Sequence, residues 1–229
     1  MNRRLECLYS MIVSQIGVID VGTDHGYLPI CLAERGYKGE LFASDINAGP
    51  LETAVRNARV AGVDKRIHFL LCDGLSLCPP EQVDAVVIAG MGGDTICSIL
   101  DAAAWTMSDR VQLVLQPMTK AEVLRSWLVS NGYVIERESL VSDSATLYQA
   151  LSARYLNRCT PLSDAECFVG SPWLAENLSL YRQMICLQRR RIETRLHGME
   201  ASAREDDAGP IRWYQSILEQ LRVIEEETQ

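Results

Sequence analysis

Apolar residues along this chain fall into two alternating patterns, short continuous runs and helical stripes. Residues 17–21, 41–44, 67–72, 83–89 and 111–115 are brief apolar runs, each followed at once by an acid, a glycine or Gln-Pro. Runs of that length with turn residues at their ends predict buried strands. Between them, apolar side chains recur every three or four residues. Leu5, Leu8 and Ile12 predict a helix over 3–13, before the first strand. Residues 27–35 read as the next helix, stopped by Gly36, and residues 50–60 as another, with Pro50 suited to its first turn. Asp94 is placed to cap a helix over 95–105, and residues 120–130 form one that Gly132 ends. Residues 133–141 and 146–153 then read as two strands joined by a short polar turn, hence an antiparallel pair.

Five strand-helix alternations followed by a strand hairpin predict an α/β fold, a Rossmann-like seven-stranded sheet covered on both faces. Beyond about residue 155 the pattern changes. Over 172–203 the apolar positions 174, 178, 181, 185, 192, 196 and 199 approach a heptad, with Gln188 as a polar gap. Residues 205–210 (EDDAGP) break that stripe, and Tyr214, Leu218 and Leu221 resume it over 211–224. The reading is two units: a sheet domain over 1–155 and a coiled-coil helical hairpin over 156–229.

Composition narrows the setting. No apolar run nears the ~20 residues of a membrane span, and the start of the chain lacks a secretory signal, so a cytoplasmic protein is expected. The eight cysteines form no Cys-x-x-Cys, and only His25, His68 and His197 are present, so no metal site is expected and the thiols read as reduced. Net charge is −8, yet five arginines (182, 189, 190, 191, 195) crowd one stretch of the tail against Glu193 alone. Arg189, Arg190 and Arg191 cannot all face a helical seam. They read either as a solvated face or as phosphate contacts on a nucleic acid, with Arg3 and Arg4 extending that surface.

The chemistry concentrates at the strand ends, where ligands of such sheets bind. Asp20-Val-Gly22, Asp45, Asp73-Gly74 and Gly90-Met91 all fall there. The first loop, IDVGTDHGYLP, has glycines at 22 and 26 in a Gly-x-x-x-Gly spacing, and Asp24 lies between them. A diphosphate beside that carboxylate meets like-charge repulsion, which argues against a dinucleotide. S-adenosylmethionine (AdoMet) carries a sulfonium and an ammonium and no phosphate. In that reading Asp45 takes the ribose hydroxyls and Asp73 the adenine amine, within a cofactor set of Asp20, Gly22, Thr23, His25, Gly26, Tyr27, Leu28, Asp45, Ile46, Asp73, Gly74 and Gly90. His25 reads equally as a structural loop residue. Met91, Gly92 and Gly93 offer a bare backbone to an acceptor base, or form a tight turn before the next helix.

With these residues in hand, the chain resembles a known family. IDVGTDHGYLP, SDINAGP (44–50), CDGL (72–75), VIAGMGG (87–93) and LQP (115–117) resemble, in order and spacing, the bacterial tRNA adenine-N1 methyltransferases of the TrmK type. The likeness covers about residues 1–155, and the helical tail agrees in kind. It implies a class I methyltransferase fold, AdoMet as donor, an adenine in the tRNA D-arm as acceptor, and Asp24 as the catalytic residue. Asp24 as a cofactor contact or helix cap is the alternative. A monomer without metal is expected. Another AdoMet-dependent acceptor, or a binding protein without turnover, remains open at this stage.

Overall fold

The computed structural model describes residues 3–143, 146–201 and 208–228. Helix α1 (Arg3–Met11) leads into β1 (Gly17–Val21), α2 (Tyr27–Glu34), β2 (Glu40–Asp45), α3 (Ala48–Val60) and β3 (Ile67–Leu71). β4 (Ala85–Gly92), α4 (Gly93–Asp101), β5 (Gln112–Thr119), α5 (Ala121–Ser130), β6 (Tyr133–Asp143) and β7 (Thr146–Tyr155) complete the sheet unit. α6 (Asp164–Val169), α7 (Leu178–Ala201) and α8 (Ala208–Glu227) follow. The middle of the β6–β7 turn (144–145) and the first part of the expected break (205–207) lie outside the described residues.

The seven strands form one sheet in the order β3-β2-β1-β4-β5-β7-β6. β1 to β5 pair in parallel, and β7 runs antiparallel to both β5 and β6. The order reverses between β1 and β4, where the chain crosses from one half of the sheet to the other. The strands are apolar on both faces, as a sheet covered by helices requires. Val18, Ala85, Val87 and Val114 pack on one side with α1, α2 and α3. Ile19, Val86, Ile88, Leu113 and Leu115 pack on the other with α4 and α5. A third core joins α6, α7 and α8 to Leu140 and Leu147 at the far end of the strand hairpin.

Several boundaries differ from the sequence reading. β4 and β5 run on past Ala89 and Leu115, because two register shifts let Met91 pair with Pro117 and Gly92 with Thr119. Helix α4 therefore starts directly from the strand, with Gly92 as its cap residue and no side-chain cap. Asp94 is a first-turn residue, not the cap, and forms an ion pair with Lys120. Helix α6 is one that apolar periodicity did not reveal: Ser163 and Glu166 close a capping box around its start. Residues 172–174 make a short 3-10 turn, so α7 begins only at Leu178, whose side chain is exposed. The seam expected of α7 and α8 is present: Tyr181, Met184, Ile185, Ile192 and Leu196 meet Tyr214, Ile217, Leu221 and Ile224. Gly209 and Pro210, read as part of the break, sit in the first turn of α8, where a proline is tolerated.

Candidate functional site

The reversal of strand order opens a crevice at the carboxyl ends of the parallel strands. There a cavity of about 660 Å3 lies over the ends of β1, β2, β3 and β4. Among the described residues its walls hold three carboxylates, Asp24, Asp45 and Asp73, and no lysine or arginine. Each comes from a different strand end, so the charge follows from the topology and not from a local run of acids.

The β1 loop is shaped by backbone hydrogen bonds. The N–H groups of Gly22 and Thr23 donate to the Ser44 carbonyl (2.8 and 2.9 Å), which ties the loop to β2. Gly22 needs a positive φ of 68°, and a β-carbon there would lie 2.2 Å from the Met91 methyl, which covers the loop. Gly26 (φ 72°) packs its bare face on Ala54 of α3 and starts α2. Asp24 sits between them at φ 52°, a left-handed conformation that aspartate tolerates better than most residues. Its N–H donates to Asp45 Oδ2 (3.2 Å), while Asn47 N–H donates to Asp45 Oδ1 (2.9 Å). Asp45 is thus oriented by two N–H groups while it still lines the cavity. The Asp24 side chain remains exposed, with His25 Nε2 3.4 Å from its Oδ2.

Asp20 plays a different part. Its carboxyl is buried and accepts a hydrogen bond from Thr23 Oγ1 at 2.7 Å. Burial pushes its pKa up to about 7, against the opposing pull of the Thr23 bond and the Arg4 charge. At neutral pH it titrates directly beneath the loop.

The expected site residues divide into three groups. Gly22, Asp24, Asp45, Ile46, Asp73, Gly74, Gly90 and Met91 come together around the cavity. Asp20, Thr23 and Gly26 build the loop from beneath and do not line it. His25 and Tyr27 lie exposed outside it, their rings 5.3 Å apart, with the His25 carbonyl held by Asn57. Leu28 is buried in the core, where it packs with α1 and α3 residues and does not reach the cavity. Gly93 is buried, and a β-carbon on it would lie 2.1 Å from the Lys120 carbonyl; one on Gly92 would lie 3.2 Å from Thr119 Oγ1. Those glycines let β5 pass, so the bare backbone at 92–93 faces protein. Gly90 is the open one: a β-carbon there would meet nothing nearer than Arg4 Nη1 at 3.7 Å.

The arginines divide too. Arg4 stands at the rim, bonded to Gln116 Oε1 and Met118 Sδ, and Arg3 is exposed beside it. Arg189 is engaged within the hairpin by Glu225 (2.6 Å) and Glu193, whereas Arg190 and Arg191 are exposed. The sequence reading missed the fourth wall. Thr95, Ser98, Ile99 and Ala102 line the cavity from α4, and their spacing is itself a helical stripe beside the buried Ile96, Cys97 and Leu100. That second stripe was visible in the sequence but is too polar to register as a core face. Among the described residues, no group of three His, Cys, Asp or Glu could hold a metal, and no helix is long and apolar enough to cross a membrane.

Comparison with known proteins agrees with this geometry. Residues 1–151 match the protein family described as "Methyltransferase domain". The tRNA (adenine(22)-N(1))-methyltransferase of Bacillus subtilis is 32% identical over 154 residues, 67% of this chain and 64% of that protein's own length. The structure of Streptococcus pneumoniae Sp1610 in complex with S-adenosyl-L-methionine superposes with a TM-score of 0.77 at 28% identity, covering 95% of this chain and 99% of that one. The crystal structure of the B. subtilis m1A22 tRNA methyltransferase TrmK shares the fold, with a TM-score of 0.86 at 24% identity over 98% of each chain.

Proposed function

We propose a function from one premise: the chain belongs to the TrmK family of methyltransferases. In this reading it is an AdoMet-dependent tRNA methyltransferase acting on N1 of an adenine in the D-arm, the position numbered 22 in the Bacillus relative's name. The observation that carries it is the cavity wall, with three carboxylates from three strand ends and no cation among the described residues. Such a wall attracts a ligand with a cationic sulfur and ammonium and repels a diphosphate.

The residues present fit that ligand. Asp45, oriented by the Asp24 and Asn47 N–H groups, keeps acceptor capacity for ribose hydroxyls. Asp73 offers an acceptor for the exocyclic amine of the adenine. Gly90 leaves open space where the acceptor base approaches. When bound, AdoMet supplies an electrophilic methyl group.

Adenine N1 carries an in-plane lone pair, so no base is needed to create the nucleophile. Methylation places positive charge on the ring. Asp24, exposed at the cavity mouth, accepts a hydrogen bond from the N6 amine and stabilises that charge as it develops. The target base must leave its stack before it reaches this depth. We further read the protein as a cytoplasmic monomer that works on tRNA without a resident metal.

The test is incubation with labelled AdoMet and unmodified tRNA, followed by nucleoside mapping. The expected product is 1-methyladenosine at one D-arm position. Tight binding of NAD with no binding of AdoMet in calorimetry would overturn the reading.

A further inference from the structure

A second cavity, of about 400 Å3, lies between the sheet and the helical hairpin, and its charge is opposite to the first. It is walled by Lys120, Arg191 and Arg195, with Glu122 as its only carboxylate among the described residues and Tyr148 and Tyr214 as aromatic surfaces. Lys120 is shared with Asp94. Arg191 and Arg195 make no ion pair among the described residues, in contrast to Arg189 on the same helix. The Arg195 guanidinium lies 5.3 Å from the centre of the Tyr214 ring, a neutral surface that holds it in place. The start of α5 opens on the same space with no side-chain cap, which adds the positive end of a helix dipole.

The two cavities share a wall. Pro117 and Thr119 line the basic cavity, and they pair in register with Met91 and Gly92. Met91 in turn lines the acidic cavity. The paired tails of β4 and β5 thus contribute to both cavities. Arg4 spans the same partition, contacting Met118 and lying 5.7 Å from the Tyr148 ring centre.

We propose that this cavity binds the backbone phosphate of a nucleotide next to the methylated adenine, with Arg191 and Arg195 as its ligands. This rests on the tRNA methyltransferase reading and narrows it. The Arg189-Arg190-Arg191 run does not act as a unit: Arg189 is engaged inside the hairpin, and Arg195, four residues beyond Arg191 on the same helix face, joins Arg191 instead. A guanidinium pair presents donors in the fork that phosphate oxygens accept.

The experiment measures tRNA affinity against salt concentration for four proteins: the wild type, the pair Arg191→Ala/Arg195→Ala, the pair Arg191→Lys/Arg195→Lys, and the control Arg190→Ala. AdoMet affinity is measured on each. The alanine pair is expected to lose about tenfold or more in tRNA affinity. Its log–log salt slope should fall by roughly 0.7–0.9 for each phosphate that is no longer neutralised. The lysine pair should recover most of the slope, Arg190→Ala should behave as wild type, and AdoMet affinity should stay constant throughout. A wild-type slope in the alanine pair, or an equal loss in Arg190→Ala, overturns the assignment while leaving the enzyme reading intact. Equally tight binding of inorganic phosphate or free AMP to wild type and alanine pair also overturns it, because those ligands would then be held elsewhere. If the wild type binds AdoMet but no tRNA, the enzyme reading itself falls and takes this one with it.

Discussion

Asp24 shows how much a single residue carries that its letter does not. The sequence makes its carboxylate visible between two glycines, but the backbone at φ 52° appears only in the fold. That conformation decides which substitution is informative. Asparagine tolerates the left-handed region, whereas alanine there adds strain of order 1 kcal/mol. Asp24→Asn is therefore expected to keep its fold and, with Asp45 and Asp73 still in the wall, to lose only roughly a few-fold in AdoMet affinity, while losing roughly 10²-fold or more in kcat on tRNA. Full turnover in that variant would remove Asp24 from the chemistry. Asp20, four residues earlier, makes a prediction of opposite kind. Its buried carboxyl has a pKa raised to about 7, above that of the unfolded chain. Between about pH 4 and 7 the folded protein holds a proton that the unfolded chain has released. Its contribution to stability therefore falls as pH rises through that window, by up to ~1.4 kcal/mol per pH unit. Above pH 7 the loss is complete. Asp20→Asn keeps an acceptor for Thr23 Oγ1 and removes the proton. Urea unfolding at pH 5, 6, 7 and 8 should show a flatter profile for the variant, which overtakes the wild type at pH 8. Parallel profiles would place the titration elsewhere. Neither fact was legible beforehand, because both arise from the path of the loop around its neighbours.

At the scale of elements, the sequence spoke clearly where periodicity was long and weakly where it was short. The β1 to β5 strands, the helices between them and the hairpin seam follow from apolar spacing. Six-residue α6 does not, since it offers fewer than two turns to any periodic search. Its signal is instead Ser163-Asp-Ala-Glu166, a capping box readable from four letters. Both halves of the box are made: Glu166 N–H donates to Ser163 Oγ at 3.2 Å, and Ser163 N–H donates to Glu166 Oε2 at 2.8 Å. Ser163→Ala should cost about 1 kcal/mol in denaturant unfolding without changing AdoMet affinity. The Gly92-Gly93 pair shows the reverse case, a motif seen with two readings, of which the fold favours the tight turn. Its letters suggest bare backbone for a substrate, but the register shifts of β4 against β5 turn that backbone toward Lys120. A β-carbon at 93 would strike a carbonyl oxygen, which is main chain and cannot rotate away. Gly93→Ala is expected to destabilise by ~1–3 kcal/mol, visible as a lower Tm, because α4 must shift off the end of β5. A Tm equal to wild type would mean that the two tails separate readily.

Over the whole molecule, the question is what joins the sheet to the helical tail, which the sequence reading divided at residue 155. The divide is bridged by a buried ion pair that no local pattern could reveal, since it and its hydrogen-bond partners are scattered over five elements and a linker. Arg125 of α5 donates through Nε to Glu138 Oε1 of β6 (2.6 Å), through Nη2 to Gln149 of β7 (2.7 Å), and through Nη1 to the Cys167 carbonyl of α6 (2.9 Å). Glu138 Oε2 then accepts the Ser171 N–H at 3.0 Å, and Tyr181 of α7 donates to the Gly170 carbonyl at 2.8 Å. Gly170 must be glycine here: at φ 86° any β-carbon would lie 2.1 Å from Glu138 Oε2. Every buried side-chain nitrogen and oxygen of this cluster is matched, so the pair is tolerated in a dry setting, though burial alone does not make it a net stabiliser. Removing one member is different, because the other charge stays buried without a partner. Glu138→Ala should cost ~3–5 kcal/mol and act first on the tail, whose linker loses its Ser171 acceptor. Hydrogen exchange is the fitting probe. In the wild type the α7 amides should exchange with the same free energy as the sheet strands, as one cooperative body. In Glu138→Ala the α7 amides should exchange faster while β1 and β4 stay protected. The double variant Arg125→Met/Glu138→Leu, which removes both charges and keeps volume, should restore much of that protection. If α7 instead exchanges independently of the sheet in the wild type, the tail is a separately folding unit and the ion pair is not what couples it to the sheet.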